Sequence, residues 1–274
     1  NIVFDPLLIF GIGPFPRMGI AGAATATVAG QILAACIAFL LNLKKNSWIH
    51  LSAAAVFHPD PASAREIYRV GIPSMITIGL NSATSFLVNQ VLLSYSTTAT
   101  AVYGIWLKLQ NFCFMPAFGM NNGMVPILSY NYGKRAADRV RKTIRYAITS
   151  IVSLMLVLTV VFELIPGVLL KLFNASPNMM EIGMPGLRIL VLSLVLGGAN
   201  IILSSAMQAL NHSGYTLLMN IFRNFLLPAG GFYLLSFFFH NLSRLWMAVP
   251  LTELFVFLLG IVLYRKMAEH LRQL

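Results

Sequence analysis

Asn1-Ile2-Val3-Phe4-Asp5-Pro6-Leu7-Leu8-Ile9-Phe10 opens the chain, and its echo at Asn220-Ile221-Phe222-Arg223-Asn224 decides how the rest is divided. Both stretches read N-I-x-x-(D/N) near the start of an apolar run that ends at a turn. Each is followed by an apolar segment with a threonine inside it, Thr27 in the first copy and Thr252 in the second. Agreement in order as well as in residues points to a duplicated lobe, as in membrane proteins built from internal repeats. The first stretch also places an amide and a carboxylate one helical turn apart in a run otherwise fit for hydrocarbon. Asp5 is the only aspartate in an apolar segment, since Asp60 and Asp138 lie in polar stretches. An ionisable group at that depth is costly and marks a functional site by default.

The whole chain shares the apolar character of that run. Its 274 residues are 58% hydrophobic and only 10% charged, with a mean hydropathy of +0.78. A soluble domain carries about 25% charged residues, so an all-α polytopic membrane protein is expected. The net charge of +11 does not point to nucleic acid. The basic residues sit between apolar spans, with no basic face interleaved with aromatics. Thirteen of the nineteen Lys and Arg fall in residues 44–69, 134–145 and 265–272. They act as topology signals and contacts for anionic lipid, and they put the 44–69 linker, the 129–145 loop and the C-terminus in the cytoplasm.

Residues 1–13 are too short to span a membrane, which takes about 20 residues, and Gly11, Gly13, Pro14 and Pro16 end them. A span follows from about Met18 to Leu43. It has a small residue at every fourth position, Gly22, Ala26, Gly30, Ala34 and Ala38, which allows a neighbouring helix to approach closely. The main break is Lys44 to Arg69, with Ser63–Arg69 expected as a short amphipathic surface helix. Six further spans are expected near 70–95, 100–128, 143–172, 184–209, 215–239 and 245–265. Prolines at 73, 116, 126, 166, 228 and 250 are candidate bending points. The division is then 1–43 as the end of an N-terminal lobe, 44–66 as linker and 67–274 as a six-helix C-terminal lobe. By the repeat, the chain is expected to be part of a protein of roughly 430 residues with two six-helix lobes, of which about seven and a half helices are present.

Three stretches resemble one family, the multidrug and toxic compound extrusion (MATE) transporters. N-I-V-F-D-P-L-L-I-F-G followed by G-I-A-G-A-A-T-A-T, within residues 1–27, resembles the family's fifth and sixth helices. Residues 104–133, ending V-P-I-L-S-Y-N-Y-G, resemble its eighth helix. Residues 206–214, A-M-Q-A-L-N-H-S-G, fall where the tenth helix closes. Within the family the pattern resembles the bacterial, staphylococcal-type multidrug efflux branch.

The resemblance implies a two-lobe bundle of twelve helices and a monomer in the bacterial inner membrane. It implies an antiporter, driven by H+ or Na+, that exports amphipathic organic cations by alternating access. Membrane lipids surround it, and it needs no cofactor beyond the coupling ion. One branch places the cation on an Asn and an Asp of the fifth helix and a Thr of the sixth, which match Asn1, Asp5 and Thr27. The other branch uses a Glu of the seventh helix and an Asp of the tenth. Asn81 and Asn200 stand at the aligned positions here, so no charged site is expected in the second lobe.

The residues themselves support part of this picture. Burial favours the neutral form of a carboxyl, so Asp5 can carry a proton or bind Na+, the one metal considered. Asn1, four residues earlier, lies on the same helical face. Amides within or near spans supply a neutral lining for an accommodating cavity, with Asn81, Gln110 and Asn200 ranked first. Lys108 and Arg223 lie at membrane depth and should pair, Arg223 with a carboxylate such as Glu253. Glu163 is expected at the interface. Phe112, Phe114, Met115, Phe118, Met120 and Met124 either pack or form an adaptable surface. Cys36 and Cys113 lie mid-span with no disulfide or metal spacing, and the five histidines sit in loops or at helix ends. No paired carboxylates, His cluster or Ser–His pair occurs at membrane depth, so an enzyme is not expected. The alternative, a lipid-linked oligosaccharide flippase, would need several Arg or Lys for pyrophosphate, and only Lys108 and Arg223 are available.

Overall fold

A computed structural model describes residues 2–45, 60–239 and 241–271, which form helices and connecting turns. Two compact units divide the chain, Asn1–Val70 and Gly71–Leu274.

In the first unit, α1 (Phe4–Phe10) is followed by α2 (Ile20–Lys45). A helix leaves its last four carbonyls without intrahelical donors, and the returning chain supplies several. Leu7 O accepts from Gly11 and Ile12 N–H at 3.1 Å each, Leu8 O from Met18 N–H at 2.9 Å, and Ile9 O from Gly19 N–H at 3.3 Å. Gly11 makes this possible with φ of 70°, a left-handed cap that disfavours any side chain. A Cβ there would also lie 2.8 Å from the Arg17 nitrogen. The small-residue stripe of α2 is only partly used: Gly22 and Ala26 are buried, whereas Ala34 and Ala38 are exposed.

The second unit begins within α3 (Pro61–Leu93), which runs unbroken through Pro73. The expected separate surface helix at 63–69 is therefore the first part of α3, which Pro61 starts as its first residue. After it come α4 (Thr97–Gly133), α5 (Ala137–Leu164), α6 (Pro166–Leu172), α7 (Pro177–Val191) and α8 (Ser193–Ala209). The last part comprises α9 (Ser213–Ile221), a π-helical turn (Phe222–Leu226), α10 (Leu227–Phe238), α11 (Leu242–Leu245) and α12 (Ala248–Leu271). The span expected over 143–172 stops at Leu164, because the ring of Pro166 starts a new helix as its first residue. The span expected over 184–209 is two helices that meet at a 40° bend.

Among the described residues, Ile20–Lys45, Ala137–Leu164, Ser213–Phe238 and Leu242–Ala268 are long and apolar enough to cross a membrane, and the bent pair α7–α8 adds a fifth candidate. The fully described α4 is long enough too. Its 37 residues reach about 55 Å at 1.5 Å each. Lys108, Gln110, Asn111, Asn121 and Asn122 lower its apolarity. The chain is a multi-pass membrane protein.

The core of this unit is built around α8, which packs on α4, α5, α9 and α12. Its Gly197-Gly198 pair permits this. The Phe114 ring lies 2.5 Å from where a Cβ on Gly197 would stand, and Met155 Cγ lies 2.8 Å from one on Gly198. Trp106, Trp246, Phe232, Ile151 and Met155 are fully buried around it.

Candidate functional site

A cleft of about 380 Å³ lies in the second unit, where α3, α4, the π-helical turn and α12 meet. Asn81 and Ser85 line it from α3, Gln110 and Asn111 from α4, Arg223 from the turn and Glu253 from α12. Beside it lies a buried ion pair. Arg223 Nε donates to both Glu253 oxygens, at 2.9 and 3.0 Å, and Nη2 sits 2.9 Å from Oε1, with the side chains 15% and 6% exposed. Asn200 Nδ2 donates to Glu253 Oε2 at 2.7 Å and to its backbone oxygen at 3.0 Å. The guanidinium carbon stands 5.6 Å from the centre of the Phe114 ring, and Nη2 reaches the Gly197 carbonyl at 3.4 Å. Charges taken this far from water persist only when paired and hydrogen-bonded, and here both conditions hold.

The π-helical turn aims Arg223. One extra residue in the turn rotates the side chains that follow, and such turns occur often at functional sites. Leu227 N–H donates to Phe222 O, the five-residue bond that defines the turn. Pro228 has no N–H for the carbonyl four residues before it, and that carbonyl, of Asn224, accepts the Thr84 hydroxyl at 2.6 Å instead. A neighbouring helix thus satisfies the group that proline frees. Thr84→Val should lower stability by about 1–3 kcal/mol, the cost of stranding a buried acceptor, while Thr84→Ser stays near wild type. Thermal unfolding in lipid nanodiscs checks both.

The structure therefore separates the three amides ranked first. Asn81 and Gln110 line the cleft, but Asn200 does not. It is 1% exposed and supports Glu253 from beneath, because α8 is covered by helices on its neighbouring faces. Asn121, Asn122 and Gln208 line a separate recess of about 490 Å³. The expected pairing of Arg223 with Glu253 holds. Positions 81 and 200 carry amides, and the buried charges beside the cleft are Arg223 and Glu253, paired with each other. Lys108 is exposed, with Nζ 5.9 Å from the centre of the Phe173 ring. Glu163 meets Arg188 at 3.7 Å with both half-exposed, a pair worth about 0–1 kcal/mol. Phe114 and Met124 are core residues, whereas Phe112, Met115 and Phe118 are exposed. Both cysteines are free. His212 lies in a turn, its Nδ1 2.8 Å from Leu210 O.

In the first unit, Asp5 Oδ1 is buried and has no hydrogen-bond partner among the described residues. Thr27 is half-buried on α2 and its hydroxyl donates to Ala23 O at 2.9 Å. Asn1, His50, His58 and His240 lie outside the described residues, as does the side chain of His270.

A family model described as MatE matches residues 73–234. The chain belongs to the MatE family. This is a transporter family rather than an enzyme family. The chain is 29% identical over 211 residues to the multidrug export protein MepA of Staphylococcus haemolyticus, covering 76% of this chain and 45% of that protein. It is 26% identical over 270 residues to an FAD transporter of Shewanella oneidensis, covering 96% of this chain and 57% of that protein. The MatE chain thus spans about half the length of these relatives. Its fold matches the inward-facing conformation of a multidrug resistance MATE transporter with a TM-score of 0.87 at 22% identity, over all of this chain and 62% of that one. The outward-facing conformation of such a transporter matches with a TM-score of 0.81 at 23% identity, over all of this chain and 61% of that one.

Proposed function

We propose that the protein is a cation-coupled antiporter that exports amphipathic organic cations across the bacterial inner membrane by alternating access. The single observation that carries the coupling role is the buried Oδ1 of Asp5, which has no hydrogen-bond partner among the described residues. A carboxylate oxygen at membrane depth without a donor is an acceptor for H+ or Na+. Thr27, whose hydroxyl proton is given to Ala23 O, can offer only lone pairs to a neighbour, the polarity a cation needs. Asn1 completes the proposed set. Substrate enters the cleft past Asn81 and Gln110. The protein works as a monomer among lipids, with the 44–69 linker, the 129–145 loop and the C-terminus on the cytoplasmic side, where the basic residues cluster. Support for alternating access comes from the solved transporters of this fold, recorded both inward-facing and outward-facing. A flippase is disfavoured, because Glu253 already cancels the charge of Arg223.

The test is drug efflux from cells or proteoliposomes with the intact protein under separately imposed pH and Na+ gradients. Asp5→Asn should lower gradient-driven efflux at least about tenfold, since a carboxamide can neither ionise nor match a carboxylate for Na+. The gradient that drives the unaltered protein names the ion. Undiminished coupled efflux in Asp5→Asn would remove the assignment.

A further inference from the structure

A groove of about 720 Å³ lies where α10 and α12 pass each other in the second unit. Gly230 and Gly231 leave it open. A Cβ on Gly230 would meet nothing within 4 Å, and one on Gly231 would rest 3.4 Å from Ala248 Cβ. Leu226, Leu234, Leu251, Leu254 and Leu258 on its walls are exposed. Thr252 alone among the described lining residues carries a polar side chain, and it also forms part of the wall of the polar cleft. On membrane-spanning helices such a surface faces hydrocarbon, and a groove left empty would forfeit dispersion contacts along both walls.

The groove has a defined length and a charged end. Along α12 it runs from Ala248 to Leu258, about 15 Å at 1.5 Å per residue. That is half of the roughly 30 Å hydrocarbon core, the depth of one leaflet. Phe239 and Arg244 follow and precede its Leu235 and Ala248 end by four residues each. The guanidinium carbon of Arg244 stands 4.5 Å from the centre of the Phe239 ring. Phe239 is itself held, because its carbonyl accepts from the Tyr95 hydroxyl at 3.0 Å. The Arg244 side chain is exposed and makes no hydrogen bond or ion pair with any described residue. A positioned cation without a counterion among the described residues thus stands at the end of an apolar groove one leaflet deep.

We infer that this groove binds one anionic glycerophospholipid, with an acyl chain between α10 and α12 and the phosphate paired with Arg244. The chain alone gives little selectivity, since lipid tails are as apolar as leucine, so preference over neighbouring lipids comes from the headgroup. No described acidic side chain pairs with Arg244, and none is therefore placed to receive the ammonium of a zwitterionic headgroup. A headgroup whose only charge is its phosphate suits the site better. Because Thr252 belongs to both walls, the bound chain also covers the membrane side of the cleft. The groove holds lipid whether or not the protein couples export to an ion.

The experiment places the intact protein in phosphatidylcholine nanodiscs with a trace of phosphatidylglycerol that carries a diazirine on its acyl chain. Photolabelling mapped by mass spectrometry should be about fivefold denser at residues 226–235 and 248–258 than at Leu154, Leu156 and Val157, which are exposed on α5, the preference that one interfacial cation gives. Unlabelled phosphatidylglycerol should compete about fivefold better than phosphatidylcholine, on the same ground. Arg244→Gln should make the two compete equally. Gly230→Phe, whose ring has open space to enter, should remove most of the groove labelling. Leu254→Trp is a second filling variant, and thermal unfolding in the same nanodiscs shows that both are folded. Equal labelling of α5, α10 and α12, or a phosphatidylglycerol preference that survives Arg244→Gln, overturns the inference. Absence of lipid adducts from the groove, as when a second copy or another helix covers it, does the same.

Discussion

Glu253→Leu should destabilise the second unit by about 3–5 kcal/mol, the cost of leaving a buried charge without its counterion. The guanidinium of Arg223 would keep only its long bond to the Gly197 carbonyl and its contact with Phe114. Asn200 would lose the carboxylate that takes its Nδ2 and keep the backbone oxygen of residue 253. Arg223 cannot withdraw easily, because its side chain is 15% exposed and held between α8 and α12. The paired change Arg223→Met/Glu253→Leu should recover most of the loss, since apolar groups of similar volume replace buried ion pairs at little cost. Thermal unfolding in nanodiscs of the two single variants and the double variant gives the coupling directly. A single Glu253→Leu variant as stable as the unaltered protein would mean that water in the cleft already solvates the guanidinium.

That pair also shows what the sequence could and could not convey. Two opposite charges in apolar runs must meet, so Arg223 with Glu253 is legible from the cost of leaving either alone. The partnership of Asn200 is not. Its place within an apolar span says that it is inside without saying against what, and its partner lies 53 residues later. Alignment with a family position placed it in the cavity, and packing placed it behind the cavity wall. The spans were legible because composition alone reports burial in lipid. The stop at Leu164 is written in Ile165-Pro166, where the ring prevents a continuous helix. The bend between α7 and α8 has no such mark at Leu192. The π-helical turn at Phe222–Leu226 is also not marked at its own residues, although Pro228 follows it closely. In the first unit, the sequence singles out Asp5 by its depth, and the structure adds that one of its oxygens has no donor among the described residues.

The second large effect is expected at Gly22, and it arises from backbone rather than charge. Gly22 is buried where α2 passes α1, and a Cβ built on it would lie 2.6 Å from the carbonyl carbon of Leu8. Unlike a clash with the end of a flexible side chain, this one cannot be relieved by a rotamer change. The Leu8 carbonyl is itself fixed, since it accepts from Met18 N–H at 2.9 Å to close the end of α1. Gly22→Ala must therefore part the two helices or break that closure, at about 2–3 kcal/mol in the range seen for overpacked sites. A seven-residue helix has little stability of its own, so the loss should appear as local opening of α1. Hydrogen exchange at residues 4–10 should accelerate about 30-fold to 150-fold, the equilibrium equivalent of that cost. Gly104→Ala is the control, because nothing lies within 4 Å of its added Cβ. Inside α4 it should stabilise by about 0.5–1 kcal/mol through helix propensity alone. Leu8 is three residues beyond Asp5 on the same short helix, so displacement of α1 should also lower ion-coupled efflux in Gly22→Ala. Unchanged exchange together with unchanged efflux would show that α1 does not depend on this contact.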